Sequence, residues 1–407
     1  MARPDGEAQR TLGDLTLPCL PNAGADVDPG TRVTGIAVDS REVRDGFVFV
    51  AIPGTRLDGA EFAQFAVRQG AAAVVATPEG VEIARRDIGD LPVPFFVTER
   101  PRAWLARLAA AFWGKQPEVM VGVTGTNGKT SVAQFLRQIW EAAGHRAVAF
   151  GTLGVGGAGF DEPLGHTTPE PVTLHRLLAR LACEGVTHAA MEASSHGLEQ
   201  KRLDGVHLAA AGLTNITRDH MDYHPDHEAY VAAKMRLFGN VLEKGGTAVL
   251  NVDDPSFGVA REVARRRAQR VLAVGGGEGA DLRSLGRALH PGGQTVRYGW
   301  EGAEHEVDLD LIGDFQADNV GLAAGLALAT GITPETVFAA LPGLLGVRGR
   351  MELVARRGNG AAIYVDYAHT PDALARALAA LRPHCQGTLV CAFGAGGDRD
   401  RGKRPLM

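Results

Sequence analysis

The residues whose types and spacing could do chemistry are concentrated in the heptapeptide Thr124-Gly-Thr-Asn-Gly-Lys-Thr130. Glycines let a backbone approach an anion closely, and the N–H groups that open a helix attract phosphate. Lys129 would reach the outer phosphates of a nucleotide, and the Thr130 hydroxyl would hold Mg²⁺. The usual phosphate-binding pattern has one more glycine, at the position of Val123. The heptapeptide is therefore a variant of that loop, and the alternative is a tight turn with a solvent-facing lysine.

Two more polar clusters follow predicted strands. Glu192-Ala-Ser-Ser-His196 comes after one apolar run, and Asn215-Ile-Thr-Arg-Asp-His-Met-Asp-Tyr-His224 comes after the next. Because ligands of an open α/β sheet bind beyond the carboxyl ends of its strands, these clusters and the loop would surround one crevice. Glu192 would supply a carboxylate oxygen for Mg²⁺ there, with His220 beside it. The alternative for Glu192 is an ion pair with an arginine or lysine at the strand end.

The sequence does not decide the roles of three histidines and one lysine. His220, His224 and His227 could suggest zinc, but their surroundings are rich in Asp and Asn and contain no cysteine. A loop histidine that lends one ligand to Mg²⁺, or that is simply hydrogen-bonded, fits this composition better. Lys234 lies in the middle of a predicted helix, where spacing alone assigns it no special role and an exposed helix lysine is the alternative.

Elements of a parallel α/β fold position these residues. The apolar, β-branched run that starts at Val119 predicts a buried strand, and the apolar residues after the loop recur at helical spacing until Gly144. Strand and helix patterns then alternate through the middle of the chain, which is typical of a parallel sheet. Gln294–Tyr298 and His305–Leu311 predict an antiparallel hairpin at its end.

Three domains are predicted. Residues 1–115 form an N-terminal α/β unit, and residues 116–346 form the central domain with the phosphate-binding loop. Residues 347–407 show a strand, a helix over Pro371–Leu381 and a second strand over Thr388–Phe393. Two strands leave sheet faces and an edge uncovered, so we expect this last domain to be incomplete, loose and easily cleaved.

The composition is that of an ordinary globular protein, with 45% hydrophobic residues and a formal net charge of −5. This mild acidity argues against nucleic-acid binding as the main function. The only basic run, over Arg261–Arg270, is interpreted as a solvated helix face. The four cysteines lie far apart, which disfavours a disulfide framework or a zinc site, and neither a signal peptide nor a bilayer-spanning run is visible. We therefore expect a cytoplasmic protein without a membrane partner.

Five motifs in this order resemble the Mur ligase family. They are the phosphate-binding loop, the two polar clusters, Val365-Asp-Tyr-Ala-His-Thr-Pro-Asp372 and Phe393-Gly-Ala-Gly-Gly-Asp-Arg-Asp-Arg-Gly-Lys-Arg-Pro405. The resemblance covers essentially the whole chain. It implies an α/β protein with the three-domain Mur ligase architecture, in which a central parallel-sheet ATPase domain precedes a Rossmann-like C-terminal domain. That last domain is interpreted as truncated here.

The resemblance also implies roles for individual residues. The residues implied in ATP binding are Thr124, Gly125, Thr126, Asn127, Gly128, Lys129, Thr130, Asn319, Arg350 and Asp366. Those implied in binding a nucleotide-sugar substrate are Val38, Ser40, Thr55, Arg56 and Leu57 at its uridine end and Thr167, Thr168, Ser194, Gln200 and Arg202 at its muramoyl-dipeptide end. Arg399 would grip the carboxylate of the incoming amino acid. The implied ligands of Mg²⁺ are Thr130, Glu192, His220 and Lys234, the last as a carbamate formed with CO₂, and the implied catalytic residues are Lys129, Glu192, His220 and Lys234.

The reaction implied by the resemblance is the ATP-dependent addition of the third residue of the peptidoglycan stem peptide. The acceptor would be UDP-N-acetylmuramoyl-L-Ala-D-Glu, activated as an acyl phosphate, and the amine would come from a diamino acid. Diaminopimelate is expected rather than L-lysine because it is the commoner choice among bacteria, and no residue decides between them. We expect a monomer whose partners are these substrates and not a nucleic acid.

Some features depart from the family pattern. Ala395 stands where the family usually has cysteine, and Gln316 follows Phe315 where the family more often has asparagine. The Asp-Asn-Pro-Arg motif that recognises the third amino acid in the family is absent. Two alternatives are therefore kept: a ligase similar to folylpolyglutamate synthase, and a truncated remnant that binds nucleotides without ligating. A GTPase-like switch is disfavoured because the guanine-specifying Asn-Lys-x-Asp motif is absent.

Overall fold

The computed structural model describes residues 10–15, 17–217, 223–394 and 403–407. Its strands are β1 (Arg10–Thr11), β2 (Arg32–Val33), β3 (Gly35–Ala37), β4 (Phe47–Val50), β5 (Ala73–Ala76), β6 (Phe95–Val97), β7 (Val119–Thr124), β8 (Ala147–Gly151), β9 (Gly154–Gly157), β10 (Phe160–Glu162), β11 (His188–Glu192), β12 (Leu208–Leu213), β13 (Leu242–Asn251), β14 (Arg270–Gly275), β15 (Leu282–His290), β16 (Gly293–Trp300), β17 (Ala303–Leu309), β18 (Glu352–Arg356) and β19 (Ala362–Val365). Its α-helices are α1 (Ala63–Arg68), α2 (Pro78–Ile88), α3 (Pro101–Trp113), α4 (Lys129–Ala142), α5 (Pro171–Cys183), α6 (Ser195–Glu199), α7 (His227–Arg236), α8 (Phe257–Arg266), α9 (Phe315–Ala329), α10 (Pro334–Ala340), α11 (Pro371–Leu381) and α12 (Lys403–Leu406). Among the described helices, none combines the length and the apolar character needed to cross a membrane.

The first compact unit comprises the described residues of Met1–Glu118, Thr168–Val186 and His196–His207. Its main sheet holds four parallel strands in the order β3-β4-β5-β6. Side chains alternate between the two faces, so Val48 enters one core while its neighbour Phe49 enters the other. Both faces are therefore buried, which explains why these strands are continuous apolar runs in the sequence.

Helix α5 packs within this first unit although it lies far along the chain. Its residue Ala179 joins the core that α3 builds with Leu105 and Leu108. The helix starts where the Glu170 carboxylate accepts hydrogen bonds from the N–H groups of the first turn, including that of Thr173 at 2.6 Å. The packing units therefore interleave along the chain, and the predicted domain bounds of 1–115, 116–346 and 347–407 stay predictions.

The second compact unit comprises the described residues of Val119–Thr167, Thr187–Ser195 and Leu208–Met407. Its eleven-stranded sheet has the order β10-β9-β8-β11-β7-β12-β13-β14-β15-β16-β17. The seven central strands, in the sheet order β8-β11-β7-β12-β13-β14-β15, are parallel to their neighbours. The outer strands pair antiparallel, β9 and β10 at one edge and β16 and β17 at the other. The predicted parallel sheet and the predicted hairpin, β16–β17, are both confirmed.

Helices α4 and α9 pack against each other in the core of this sheet. Phe135, Ile139 and Trp140 of α4 are fully buried together with Leu322 of α9. The Trp140 indole N–H donates to the Thr330 hydroxyl at 3.1 Å, so the largest side chain in this core keeps a polar partner. This packing holds α4, which follows the phosphate-binding loop, against α9, the helix that carries Asn319.

The segment from residue 347 onward differs from its sequence prediction. It contains the antiparallel pair β18–β19 and then α11, which has the predicted bounds. Within the described part of the chain no residue pairs with Thr388–Phe393, so the prediction of a strand there is wrong. An apolar run becomes a strand only where a neighbouring backbone offers hydrogen bonds, and Val390 is instead 83% exposed.

One imidazole fastens this segment to the large sheet. His384 is buried, its Nε2 accepts a hydrogen bond from the Gly313 N–H at 3.1 Å, and its Nδ1 lies 2.7 Å from the His290 carbonyl oxygen. Only the neutral ring with its proton on Nδ1 satisfies both contacts. The residues after α11 are therefore held at the end of β15 by a specific pair of hydrogen bonds.

Other elements agree with the sequence predictions apart from small differences. The predicted helix Glu228–Leu242 is α7 followed by a π-helical turn over Leu237–Val241. Exposed arginines of α8 confirm that the basic run over Arg261–Arg270 begins as a solvated helix face. The glycine-rich hairpin β9–β10 was not predicted, because its residues lack the apolar alternation that marks a half-buried strand.

Candidate functional site

The loop between β7 and α4 has a backbone conformation that glycine permits and other residues resist. Gly125 has a φ of 144° and Gly128 a φ of 85°. A Cβ at Gly125 would lie 1.8 Å from the Thr214 hydroxyl oxygen, and one at Gly128 would lie 2.4 Å from the Asn319 side-chain oxygen. The two glycines therefore serve both the turn itself and its close packing, as expected of a phosphate-binding loop.

Two lysines donate to one carbonyl oxygen of this loop. The Nζ of Lys129 lies 2.9 Å from the Gly125 oxygen and 2.8 Å from that of Thr126. The Nζ of Lys234 lies 2.7 Å from the same Gly125 oxygen. Lys129 is half-buried and folds back over the loop, in contrast to the solvent-facing lysine of the alternative interpretation.

Lys234 is buried, with 1% of its surface exposed, so the alternative of an exposed helix lysine is wrong. Its ammonium lies 4.5 Å from the centre of the Tyr230 ring. The Tyr230 hydroxyl lies 2.9 Å from the Thr126 hydroxyl, which also accepts a hydrogen bond from the Thr217 N–H at 2.9 Å. Helix α7 thus contacts the phosphate-binding loop through the hydrogen bonds of Lys234 and Tyr230.

Glu192 is the buried carboxylate beside the loop. Its Oε2 accepts a hydrogen bond from the Thr130 hydroxyl at 3.0 Å, and its Oε1 accepts one from the Thr152 N–H at 2.8 Å. The Thr152 hydroxyl also donates to Glu192, at 3.2 Å, and lies 3.1 Å from the hydroxyl of Thr167. Carboxylate and hydroxyl oxygens are the hard ligands that Mg²⁺ prefers, so the chemistry of Thr130 and Glu192 fits a magnesium site.

Thr152 is a site residue that the sequence analysis missed. It follows β8 directly, so its position at the carboxyl end of a parallel strand was the available signal. Two other predicted residues, His220 and Arg399, lie outside the described part of the chain. Of the remaining histidines near the loop, His224 is buried with its ring 5.3 Å from that of Tyr230, and His227 opens α7.

A cavity of about 230 Å³ adjoins the loop. Thr214 and Asn215 line it and also contact the loop, since the Thr214 hydroxyl donates to the Asn127 carbonyl at 2.6 Å and the Asn215 side-chain oxygen accepts from the Asn127 N–H at 3.2 Å. Asn319 lines the same cavity, and its amide nitrogen donates to the Gln316 side chain at 2.9 Å. A nucleotide with its phosphates on the loop would find room for its base here.

Arg350 and Asp366 lie together at the base of the β18–β19 pair. The Asp366 carboxylate accepts hydrogen bonds from the N–H groups of Met351, at 3.0 Å, and of Ala368, at 2.9 Å. The Arg350 guanidinium lies 5.3 Å from the centre of the Tyr367 ring. The structure therefore brings these two predicted ATP-binding residues into one small cluster.

The predicted uridine-binding residues belong to the first unit. Val38 precedes a short 3-10 turn that begins at buried Ser40. The Asp39 carboxylate caps that turn, and the adjacent Arg41 guanidinium, 2.5 Å away, lowers the pKa of Asp39 to about 2. Thr55-Arg-Leu57 forms an exposed turn closed by a hydrogen bond from the Gly54 N–H to the Leu57 carbonyl at 3.0 Å.

The predicted dipeptide-binding residues divide between the two units. Thr168, Gln200 and Arg202 belong to the first unit, where the Arg202 guanidinium donates to the Thr168 carbonyl at 2.6 Å and to the Gln200 side chain at 2.8 Å. Thr168 is itself buried. Thr167 and Ser194 belong to the second unit, as does the Glu192 cluster.

Replacing Gly128 by alanine is expected to impair nucleotide binding as well as folding. An alanine in the left-handed region is strained by about 1–2 kcal/mol, and here its Cβ would also collide with Asn319. We expect the Kd for ADP, measured by calorimetry, to rise about tenfold or more, together with a lower Tm. Gly144→Ala is the matched control, because Gly144 ends the same helix with a φ of 87° and has open space around it. Equal ADP affinity in the two variants would contradict the role assigned to Gly128.

A phosphate-binding loop at the centre of a parallel sheet, with a buried carboxylate beside it, defines the nucleoside-triphosphate-binding class of α/β proteins. Three segments of the chain match domains of one family within that class. Residues 32–113 match the Mur ligase family catalytic domain, residues 123–327 the Mur ligase middle domain, and residues 349–407 the Mur ligase glutamate ligase domain. The chain belongs to the Mur ligase family, and its fold is the three-domain Mur ligase fold.

Relatives with assigned names are similar over most of the chain. UDP-N-acetylmuramoyl-L-alanyl-D-glutamate–2,6-diaminopimelate ligase of Agrobacterium fabrum is 51% identical over 377 residues, covering 92% of this chain and 75% of the relative. The enzyme of the same name from Mesorhizobium japonicum is 50% identical over 399 residues, covering 97% of this chain and 80% of the relative. A solved structure with that name superposes with a TM-score of 0.79 at 31% identity, covering 98% of this chain and 80% of the solved one.

Proposed function

We propose that this chain is the ATP-dependent ligase that joins diaminopimelate to the D-Glu residue of UDP-N-acetylmuramoyl-L-Ala-D-Glu in peptidoglycan synthesis. The observation that carries the proposal is the phosphate-binding loop with Lys129 over it and the Thr130–Glu192 pair at its end. Relatives at about half identity with this activity in their names support the choice of substrates. A folylpolyglutamate synthase-like substrate is less well supported, since none of these relatives bears such a name.

The proposed reaction has two steps. An oxygen of the D-Glu side-chain carboxylate attacks the γ-phosphorus of ATP, and the bond from that phosphorus to the β-phosphate oxygen breaks, which leaves an acyl phosphate and ADP. The amine of diaminopimelate then attacks the acyl carbon, its proton is lost, and inorganic phosphate leaves as the amide forms. The chain contributes mainly by holding the reactants in line and by balancing charge with Lys129.

Thr130 and Glu192 are proposed to hold Mg²⁺, together with His220 by resemblance to the family. Glu192 is suited to this because it is buried and its carboxylate is oriented from two sides, by Thr130 and Thr152. Mg²⁺ bound there would offset the negative charge that ATP and the acyl phosphate bring to the site. Removal of divalent cations with a chelator is therefore expected to weaken ATP binding.

Lys234 is proposed to carry a carbamate. Its neutral amine would attack the carbon of CO₂, form an N–C bond and release one proton, which leaves an anion on the side chain. Two lysine nitrogens share the Gly125 carbonyl oxygen, and two ammonium groups so close together repel each other. The carbamate would replace this repulsion with attraction towards Lys129 and towards the metal.

The two ends of the nucleotide-sugar are proposed to bind different sets of residues. The uridine end would meet Val38 and Ser40 with the Thr55-Arg-Leu57 turn. Arg202, which donates hydrogen bonds to Thr168 and Gln200, would supply the positive charge that attracts the anionic dipeptide. ATP and the nucleotide-sugar are both cytoplasmic metabolites, so we place the reaction in the cytoplasm. We further propose that the enzyme acts as a monomer, without a nucleic acid or a membrane as partner.

A turnover assay tests the proposal directly. The chain is mixed with UDP-N-acetylmuramoyl-L-Ala-D-Glu, Mg²⁺, ATP and either diaminopimelate or L-lysine, and both phosphate release and the mass of the product are measured. We expect the tripeptide product with diaminopimelate only. The control acceptor, UDP-N-acetylmuramoyl-L-Ala, lacks the D-Glu carboxylate and should support no phosphate release. A faster reaction with L-lysine would refute the amino acid assignment, and turnover that needs a folate acceptor would refute the nucleotide-sugar.

A further inference from the structure

Most polar groups that line the cavity beside the phosphate-binding loop are already satisfied by the protein. Asp253 accepts hydrogen bonds from the N–H groups of Gly276, at 2.7 Å, and Gly277, at 2.8 Å. Asp254 likewise accepts from Ile216, at 2.9 Å, and Ser256, at 2.8 Å. These two carboxylates hold loops in place, and each of their oxygens already has a backbone donor.

Other polar side chains in the cavity are committed in the same way. The Asn251 amide donates to the Thr214 carbonyl at 2.9 Å, and its oxygen accepts from the Asp253 N–H at 3.0 Å. The Tyr298 hydroxyl donates to the Ala317 carbonyl at 2.7 Å. A base entering the cavity therefore meets few acceptors that are not already used.

Asp318 differs from these residues. It lies in the first turn of α9, lines the cavity and has 45% of its side chain exposed. Its Oδ1 accepts a hydrogen bond from Arg287 at 2.7 Å, whereas its Oδ2 has only a long contact of 3.5 Å to the same guanidinium. Arg287 also donates to the Asp314 carbonyl at 2.5 Å, so the ion pair is fixed to the helix start. One carboxylate oxygen is thus held by the protein and the other is left for a ligand.

The surroundings of this oxygen suit a planar base. Phe315, which is 39% exposed, and the apolar side chains of Leu282 and Leu322 line the same cavity. Loss of water raises the pKa of Asp318, while the hydrogen bond and charge of Arg287 oppose that rise. An acceptor that is partly shielded from water and held in place by an ion pair gains more from a ligand donor than one that is free in solvent.

We infer that Asp318, oriented by Arg287, selects a nucleotide whose base carries an exocyclic amino group. The inference rests on the proposed function, which places an adenine nucleotide on this loop. Only one oxygen of Asp318 is available, so it matches a single amino donor and not the paired N–H donors of guanine, which need both oxygens of a carboxylate. Asp318 is a specificity-determining residue here, and it acts beside Asn319, whose amide nitrogen is bound to Gln316.

Deleting the donor from the ligand and the acceptor from the protein tests this pairing. The Kd values of ADP and of purine riboside diphosphate, which lacks the amino group, are measured by calorimetry for the unaltered chain and for Asp318→Ala. A hydrogen bond to a charged acceptor predicts that the unaltered chain prefers ADP about tenfold or more. In Asp318→Ala the two ligands should bind within about twofold of each other, because the partner of the amino group is gone.

Asp308→Ala is the matched control. Asp308 lies on β17, is 67% exposed and contacts His290 and Thr295, so its loss should leave the preference for ADP unchanged. If Asp318→Ala fails to fold, Asp318→Asn keeps the shape and should still reduce the preference, since a neutral acceptor forms a weaker hydrogen bond. A preference for ADP that survives in both Asp318 variants, or that is absent in the unaltered chain, overturns the inference and leaves the proposed function standing. Failure of the unaltered chain to bind either nucleotide overturns both.

Discussion

Replacing Lys129 by alanine is expected to slow ATP-dependent phosphate release severely. In the proposed reaction this ammonium balances the charge that develops between the β- and γ-phosphates, and charge-assisted contacts of that kind contribute roughly 2–4 kcal/mol to the transition state. Turnover should therefore fall by a factor of about 30 to 1,000, as measured by release of phosphate in the presence of both substrates. Binding of the nucleotide-sugar should persist, because the residues proposed for its uridine end belong to the first compact unit.

The matched control for this change is Lys244→Ala. Lys244 is an exposed lysine on β13 of the same unit, so it tests the general effect of removing one positive charge. Its turnover should equal that of the unaltered chain. Near-normal turnover in Lys129→Ala would refute the assignment of residues 124–130 as the phosphate-binding loop.

Replacing Lys234 by alanine is also expected to remove activity, but for a different reason from the Lys129 variant. The change deletes the proposed carbamate and also one of the two donors to the Gly125 oxygen. Short carboxylates such as formate or acetate, at high concentration, should restore part of the turnover by standing in for the missing anion. Turnover of the unaltered chain should also fall when CO₂ is stripped from the buffer, because a carbamate forms reversibly.

A purely structural role for Lys234 makes different predictions. A lysine that only holds the loop would be insensitive to CO₂, and its loss would not be rescued by formate. Isotopically labelled bicarbonate provides a measurement independent of activity: a labelled carbamate signal should be present in the NMR spectrum of the unaltered chain and absent from that of Lys234→Ala. A spectrum without the signal in both proteins would count against the carbamate.

The sheet and its phosphate-binding loop could be predicted from the sequence because their signals are local. About two dozen residues contain the apolar run before the loop, the loop glycines and the amphipathic helix after it. Each of these local patterns predicts its own secondary structure without information from distant residues. The hairpin β16–β17 was predicted for the same reason. The strand predicted at Thr388–Phe393 failed, since local apolarity does not say whether a partner strand is present.

The environment of Lys234 could not be read from spacing. A lysine in mid-helix is ordinarily exposed, and its burial here depends on a carbonyl oxygen 109 residues earlier in the chain. Thr152 was missed for a similar reason, because its contacts with Glu192 join residues 40 positions apart. Only the resemblance to a family singled out Lys234, and only the fold shows what its side chain touches.

The Gly125 carbonyl accepts hydrogen bonds from both Lys129 and Lys234. This shared acceptor affects the free energy required for Lys129 to leave the loop when a nucleotide binds. A buried carbonyl that loses its last donor is destabilised by about 1–3 kcal/mol. When Lys129 turns from this oxygen towards a phosphate, Lys234 stays behind as a donor 2.7 Å away. The Gly125 oxygen therefore keeps one donor when Lys129 moves to a phosphate, whereas the Thr126 oxygen, 2.8 Å from the same ammonium, gives up that hydrogen bond.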